Sequence, residues 1–155
     1  LIMADRPVGL YWEEYEEGEV VESASRTITE ADIVNFSALT WDHNPLHTNE
    51  EFAKTTPHGG RIAHGALTFA YSVGLMNMLR RGEGTVIAYA GINVKYTAPV
   101  RPGDTIHCVC TVSGKKETKK PDRGLIFQRV DVVNQNGVTV VEEECTLMVR
   151  RKPAE

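Results

Sequence analysis

Ile62-Ala-His-Gly-Ala-Leu-Thr-Phe-Ala-Tyr-Ser-Val-Gly-Leu-Met-Asn-Met-Leu79 is the stretch whose reading decides the fold. Written around a helix, Ile62, Ala66, Phe69, Ala70, Val73 and Met76 form one apolar set. Leu67, Tyr71, Leu75 and Met78 form a second, and together the two sets cover most of the circumference. His64, Thr68 and Ser72, four apart, make a narrow polar line. A helix that is apolar nearly all round is buried on most sides. In so short a chain, a curved sheet wrapped around one long helix, at about residues 63–80, is the natural way to bury it.

The sheet is expected downstream. Val86 to Tyr96 alternates, with Ala88, Ala90, Ile92 and Val94 on one face, and Thr105 to Ser113 alternates through Ile106, Cys108, Cys110 and Val112. Leu125 to Val133 and Val138 to Arg150 read as long strands joined by the hairpin signal Asn134-Gln-Asn-Gly137. Lys115, Lys116, Lys119 and Lys120 fall in a hairpin tip. Upstream, Tyr11 to Gly18 reads as irregular and Val20 to Arg26 as a short strand. Thr29 is the expected N-cap of a helix reaching about Leu39, with Asp32 completing a variant capping box and Ile33, Phe36 and Leu39 on one face. Asn49 caps a short helix, and Thr55 to Arg61, with Pro57, Gly59 and Gly60, is a loop. Helices segregated before an antiparallel sheet make the class α+β.

Composition narrows the function. The 155 residues suffice for one hydrophobic core without disulfides or a structural metal. Hydrophobic residues at 41% and charged residues at 25% exclude collagen-like sequence and extended disorder. No apolar run approaches the ~18 residues of a membrane helix. A net charge of −4 argues against a broad nucleic-acid surface but leaves room for one basic pocket for a phosphate. Cys108, Cys110 and Cys145 are too few for a disulfide framework, and Cys108 and Cys110 read as small buried hydrophobes on one strand face. No signal pattern opens the chain, so a reducing, cytoplasmic location is expected. Leu1 and Ile2 precede Met3, the expected native start.

The segment Thr40-Trp-Asp-His-Asn-Pro-Leu-His47 departs from fold logic. Asp42, His43, Asn44 and His47 crowd six positions beside apolar helix ends. Asn44 suits a cap and Pro45 a first helical position, and such a turn can aim Asp42 and His47 into one space. A carboxylate and an imidazole around one water make a general acid–base site. The plainer alternative makes Asp42 and Asn44 turn-formers and His47 a surface residue. A zinc site would need a third ligand, His58 or His64, and no HExxH spacing is present. His64-Gly65 opens the long helix, where backbone N–H groups are free to hold a carbonyl oxygen that becomes an enolate. Alternatively, Gly65 merely permits tight packing.

These residues resemble a known family. Phe36-Ser-Ala-Leu-Thr-Trp-Asp-His-Asn-Pro-Leu-His47, followed by Phe52-Ala53, resembles the hydratase-2 motif of the MaoC-like dehydratases. Arg61-Ile-Ala-His-Gly-Ala-Leu-Thr68 and Tyr96-Thr-Ala-Pro-Val-Arg-Pro-Gly-Asp104 resemble its second and third blocks, in the family's order. The resemblance spans roughly residues 15–150 of one domain, 1–155. It implies a hotdog fold and (R)-specific addition of water to a trans-2-enoyl-CoA, giving a (3R)-3-hydroxyacyl-CoA, or the reverse. It further implies Asp42 and His47 as the catalytic pair, Asn44 as support, and the Gly65 amide as oxyanion donor with His64 beside it. No metal and no organic cofactor are implied, since CoA is the substrate's carrier. Two chains joining sheets edge to edge, a homodimer, are also implied. Two departures stand out. Trp41 occupies a position usually small, often Gly, and is expected to reshape the pocket, and Ala70 stands where some members carry Ser.

The chemistry is coherent apart from the resemblance. Polarising the thioester makes the β-carbon electrophilic, and an Asp/His pair on one face can deliver water and return the α-proton. Two other functions compete. A hotdog thioesterase places an acid on or beside the central helix, yet none lies between His64 and Leu79. A non-catalytic acyl-CoA-binding subunit has no need of an intact Asp42/His47 pair. Arg101 and the lysines at 115–120 are candidate cations for CoA phosphates, a solvated hairpin tip being the alternative for the lysines.

Overall fold

In the computed structural model, which describes residues 6–154, one helix lies along the concave side of an antiparallel sheet. The start expected at Met3 lies outside the described residues. After a 3-10 turn at Trp12–Glu14 come β1 (Val20–Glu22) and β2 (Arg26–Thr27). The helices α1 (Glu30–Thr40), α2 (Pro45–Thr48), α3 (Glu50–Lys54) and α4 (Gly65–Met78) follow. Strands β3 (Val86–Tyr96), β4 (Thr105–Glu117), β5 (Arg123–Asn134) and β6 (Thr139–Arg150) complete the chain. The sheet order is β1-β4-β5-β6-β3, with β2 also on β4 and every pairing antiparallel. This is the α+β hotdog arrangement expected from the central helix. No described helix is long and apolar enough to cross a membrane.

Register explains how α4 is held. Val21, Cys110, Val130, Glu143 and Val94 are successive partners across the sheet and so share one face. Leu67 and Leu75 of α4 join Cys108, Cys110, Val130 and Cys145 in the main core. A second core gathers Tyr15, Val112, Ile126 and Val149, with Trp12 packed against it. Fully burying one such aliphatic side chain contributes roughly 1.5–3 kcal/mol. Tyr71 of α4 donates to Asp32 Oδ1 at 2.7 Å, and the Arg26 guanidinium lies 3.8 Å from the Tyr71 ring centroid. Arg61 forks onto both Glu30 oxygens and bonds Glu50 through Nε, tying α1 and α3 to the approach to α4.

Several expectations need correction. The buried line of α4 is Leu67, Thr68, Ser72 and Leu75, whereas Ala66, Ala70, Val73 and Met78 are exposed. The sheet covers one side of the helix only, and the polar line turns inward because it finds partners there. The α1 cap and capping box form as expected at Thr29 and Asp32. Ser37, not Leu39, completes its buried face with Ile33, and Leu39 is exposed. The strand expected over Val20 to Arg26 is split, because the Ser23 hydroxyl accepts the Cys108 N–H at 2.8 Å in place of a backbone partner. The alternation of β3 is broken by two register shifts, and the strand is exposed along nearly its whole length. Lys115 is not a solvated tip: its ammonium donates to the Glu13 and Tyr15 carbonyls and lies over Trp12.

Candidate active site

The polar segment after α1 is shaped by its own side chains. Trp41 ends α1 in the left-handed region, φ 64°. That conformation costs a residue with a Cβ about 1 kcal/mol and favours glycine. The Trp41 ring is 86% exposed. Beyond it, the Asn44 side chain accepts the Leu46 N–H at 3.0 Å and Pro45 opens α2. The Asn44 N–H donates to Asp42 Oδ1 at 3.2 Å. Asn44 thus caps α2 and holds the Asp42 carboxylate.

One turn of α2 then brings His47 back toward Asp42. One ligand-type atom from each of Asp42, His47 and His64 lies within 4.8 Å of the others. His47 Nδ1 is 2.8 Å from the Ile62 carbonyl oxygen. A carbonyl only accepts, so Nδ1 carries the proton and Nε2 of the neutral ring holds a lone pair. His64, the N-cap residue of α4, is buried with its Nε2 3.0 Å from the Asp42 carbonyl oxygen and 3.1 Å from Ser37 Oγ. The same reasoning puts its proton on Nε2. Burial holds His64 below the usual histidine range, and neighbouring His47 pushes the same way. The two imidazoles stack at 3.9 Å between centroids.

His47 and Gly65 line one cleft of about 600 Å³, closed by Thr68, Tyr96, Val140 and Val141. Gly65 is the first residue of α4, so its amide has no carbonyl partner within the helix. A Cβ on Gly65 would stand 2.8 Å from the Tyr96 ring, so the position is held to glycine by close approach. His58 lines the same cleft but lies outside the trio with Asp42 and His47. The Arg101 guanidinium donates to the His58 carbonyl and makes no ion pair among the described residues.

Four features went unread in the sequence: the Ile62 carbonyl, Ser37, Tyr96 and Glu143. Ser37 carried a usable signal, a small polar residue four positions after Ile33 on an amphipathic helix. Glu143 of β6 is buried against Ser72 of α4, and burial pushes its carboxyl up to about 7. It lines a separate cavity of about 160 Å³ with Val73, Met76, Tyr89 and Leu147. Cys108, Cys110 and Cys145 are free and buried as expected, and burial pushes Cys108 and Cys110 up to about 12. Those thiols are inert.

Known proteins match this chain closely. The family model described as MaoC like domain matches residues 13–134. An (R)-specific enoyl-CoA hydratase of Rhodospirillum rubrum is 37% identical over 146 residues, covering 94% of this chain and 96% of that protein. The solved structure of a monoamine oxidase regulatory protein from Archaeoglobus fulgius superposes with a TM-score of 0.89 at 36% identity, over 98% of this chain and all of that one. A MaoC-like dehydratase from R. rubrum superposes with a TM-score of 0.85 at 30% identity, over 94% of this chain and all of that one. With Asp42, His47 and His64 drawn together in space and the match running nearly end to end, the chain belongs to the MaoC-like dehydratase family.

Proposed function

We propose that the protein is an (R)-specific enoyl-CoA hydratase, a hydro-lyase that adds water to a trans-2-enoyl-CoA to give a (3R)-3-hydroxyacyl-CoA and also runs the reverse dehydration. The observation that carries this reading is the approach of Asp42 to His47, which lines the cleft together with Gly65, the first residue of α4. The relatives' names support the reaction class.

The thioester oxygen accepts from the Gly65 N–H, which draws charge from the double bond and leaves the β-carbon electrophilic. Water sits between Asp42 and His47. His47 Nε2 removes its proton, and the Nδ1–H bond to Ile62 keeps the ring aimed during the transfer. Hydroxide adds to the β-carbon while the electron pair moves to the enolate oxygen on Gly65. The imidazolium, stabilised by Asp42, then returns the proton to the α-carbon. Both parts of water arrive from one face, so addition is syn. Hydration moves a proton and a hydroxyl and no electrons, so the proposed route calls on neither metal nor organic cofactor. Arg101, which makes no ion pair among the described residues and bonds the carbonyl of the cleft residue His58, is the cation we assign to a CoA phosphate.

The working unit we propose is a homodimer. Strand β3 pairs with β6 on one side only, and Ile87, Tyr89, Ile92 and Tyr96 are exposed along it. An unpaired apolar edge is a template for a second copy. A CoA substrate and three free buried thiols fit the reducing cytoplasm. A thioesterase finds an acid beside α4 in Glu143, but that group is held by Ser72 and lines the other cavity.

Purified protein with crotonyl-CoA tests the reading by loss of the conjugated enoyl absorbance. Asp42→Asn and His47→Gln should each lower the rate about 10²–10⁴-fold. Release of free thiol would favour the thioesterase, and flat traces across short, branched and long enoyl-CoAs would sink the hydratase.

A further inference from the structure

We propose that the cavity between the second half of α4 and β6 receives the far end of a long acyl chain, and that it selects a chain ending in an uncharged oxygen group, a hydroxyl or carbonyl, over one ending in a methyl. An acyl-CoA as the ligand rests on the hydratase reading; the chemistry of the cavity does not. Cleft and cavity follow one another along the same two elements. Gly65 and Thr68 of α4 and Val141 of β6 line the cleft, whereas Val73 and Met76 of α4 and Cys145 and Leu147 of β6 line the cavity. Val141, Glu143, Cys145 and Leu147 alternate along β6 and so share a face. Ser72 and Glu143, in contact, mark the boundary on both elements. At about 1.5 Å of rise per residue, Val73 lies ~12 Å along the helix from Gly65, roughly the span of a ten-carbon chain. A four-carbon chain whose thioester sits at Gly65 stops short of the cavity.

A pocket for hydrocarbon alone would be apolar throughout, and this one is not. Gln128 of β5 pairs with Cys145 and alternates with Ile126 and Val130 on the buried face of the sheet. It is 8% exposed, and its side-chain amide has no hydrogen-bond partner among the described residues. A buried amide left unpaired is costly, and an oxygen at the end of a ligand would relieve it. Arg81 adds a second unspent donor to the same cavity. Its terminal nitrogens fork onto Glu19 at 3.0 and 2.6 Å, and its buried Nε has no partner among the described residues. Because Glu19 already answers the guanidinium charge, the cavity offers donors without spare positive charge. Glu143 lines the same space. A terminal carboxylate would give up its water, find no free cation and face Glu143. A neutral oxygen gains the donors without that penalty, and a methyl leaves them unpaired.

Saturated thioesters cannot be hydrated, so their equilibrium binding tests the cavity without turnover. Calorimetry on the full chain compares butyryl-CoA, decanoyl-CoA, ω-hydroxydecanoyl-CoA and the ω-carboxy chain of equal length. The hydroxyl-ended chain should bind at least ~10-fold more tightly than the methyl-ended one, and the carboxylate-ended chain no more tightly than the methyl-ended one. Gln128→Leu should erase the hydroxyl preference. Val73→Phe, which fills the cavity from the helix side, should weaken both uncharged ten-carbon chains relative to butyryl-CoA. Each affinity is read against butyryl-CoA on the same preparation, so a general loss of folded protein cancels. Equal affinity of methyl and hydroxyl ends, or a preference that survives Gln128→Leu, would overturn the selection. Tightest binding by the carboxylate would overturn the choice of a neutral group, and ten-carbon chains indifferent to Val73→Phe would overturn the placement. Hydration of crotonyl-CoA is followed separately. Turnover without a hydroxyl preference would overturn the cavity's role and leave the hydratase standing, and the hydroxyl preference without turnover on any enoyl-CoA would do the reverse.

Discussion

Replacing Glu143 by Gln should stabilise the protein in a pH-dependent way. Glu143 Oε1 lies against Ser72 Oγ, and Ser72 Oγ is also 2.7 Å from the Phe69 carbonyl oxygen. One hydroxyl proton cannot serve two acceptors. Both contacts are satisfied together when Ser72 donates to Phe69 and a protonated Glu143 donates to Ser72. Burial holds the Glu143 proton up to about 7, against 4.5 for the free side chain, with the Ser72 contact pulling the other way. Between those two values the folded state binds more protons than the unfolded one, so stability falls as pH rises. The stabilising contribution is complete below 4.5 and is lost above about 7. A shift of that size corresponds to about 3 kcal/mol. Glu143→Gln keeps the shape and a donor but has no proton to lose. Relative to wild type, it should gain little at about pH 4 and about 3 kcal/mol at about pH 8. For a domain of this size that is a rise in Tm of roughly 6–12 °C at the higher pH. Thermal unfolding followed by circular dichroism at both pH values, wild type beside variant, reads the difference directly. Equal shifts at the two pH values, or a less stable variant at the higher one, would refute the placement of the proton.

Two further outcomes follow from the geometry. Gly65→Ala drives the new Cβ against the exposed Tyr96 ring, so Tm should fall modestly while kcat falls about 10²-fold through misplacement of the amide face. Removing the ring in Gly65→Ala/Tyr96→Ala should recover part of that loss, and no recovery would count against the contact. Ile92→Lys places a charge on the open edge of β3 and should convert a dimer to single chains in sedimentation. An unchanged sedimentation coefficient would move the interface elsewhere.

What the sequence reveals and what it hides divide along sequence separation. The α1 cap at Thr29, the turn at Asn44-Pro45 and the start of α4 are built from residues within a few positions of each other, and all three form as read. The bringing together of Asp42 and His47 is local in the same sense. His64 joins them across 22 residues through a bond to a backbone carbonyl, which no side-chain pattern announces. The inward turn of Thr68 and Ser72 was hidden because the partner of Ser72 stands 71 residues away on β6. Hydropathy alone assigns such a line to solvent. The alternation of β3 misled because two register shifts change which face a side chain takes. The left-handed backbone of Trp41 and the exposure of its ring are likewise not written in the residue's size.

That exposed indole has an optical consequence. The chain holds two tryptophans, and Trp12 is spent on the second core, with its ring N–H donated to the Leu125 carbonyl at 3.0 Å. Trp41 stands in water one residue from Asp42. Its emission should be the redder of the two and the more readily quenched by a soluble collider. Quenching therefore reports on the turn that carries Asp42 without labels or turnover, including in variants that have lost the chemistry.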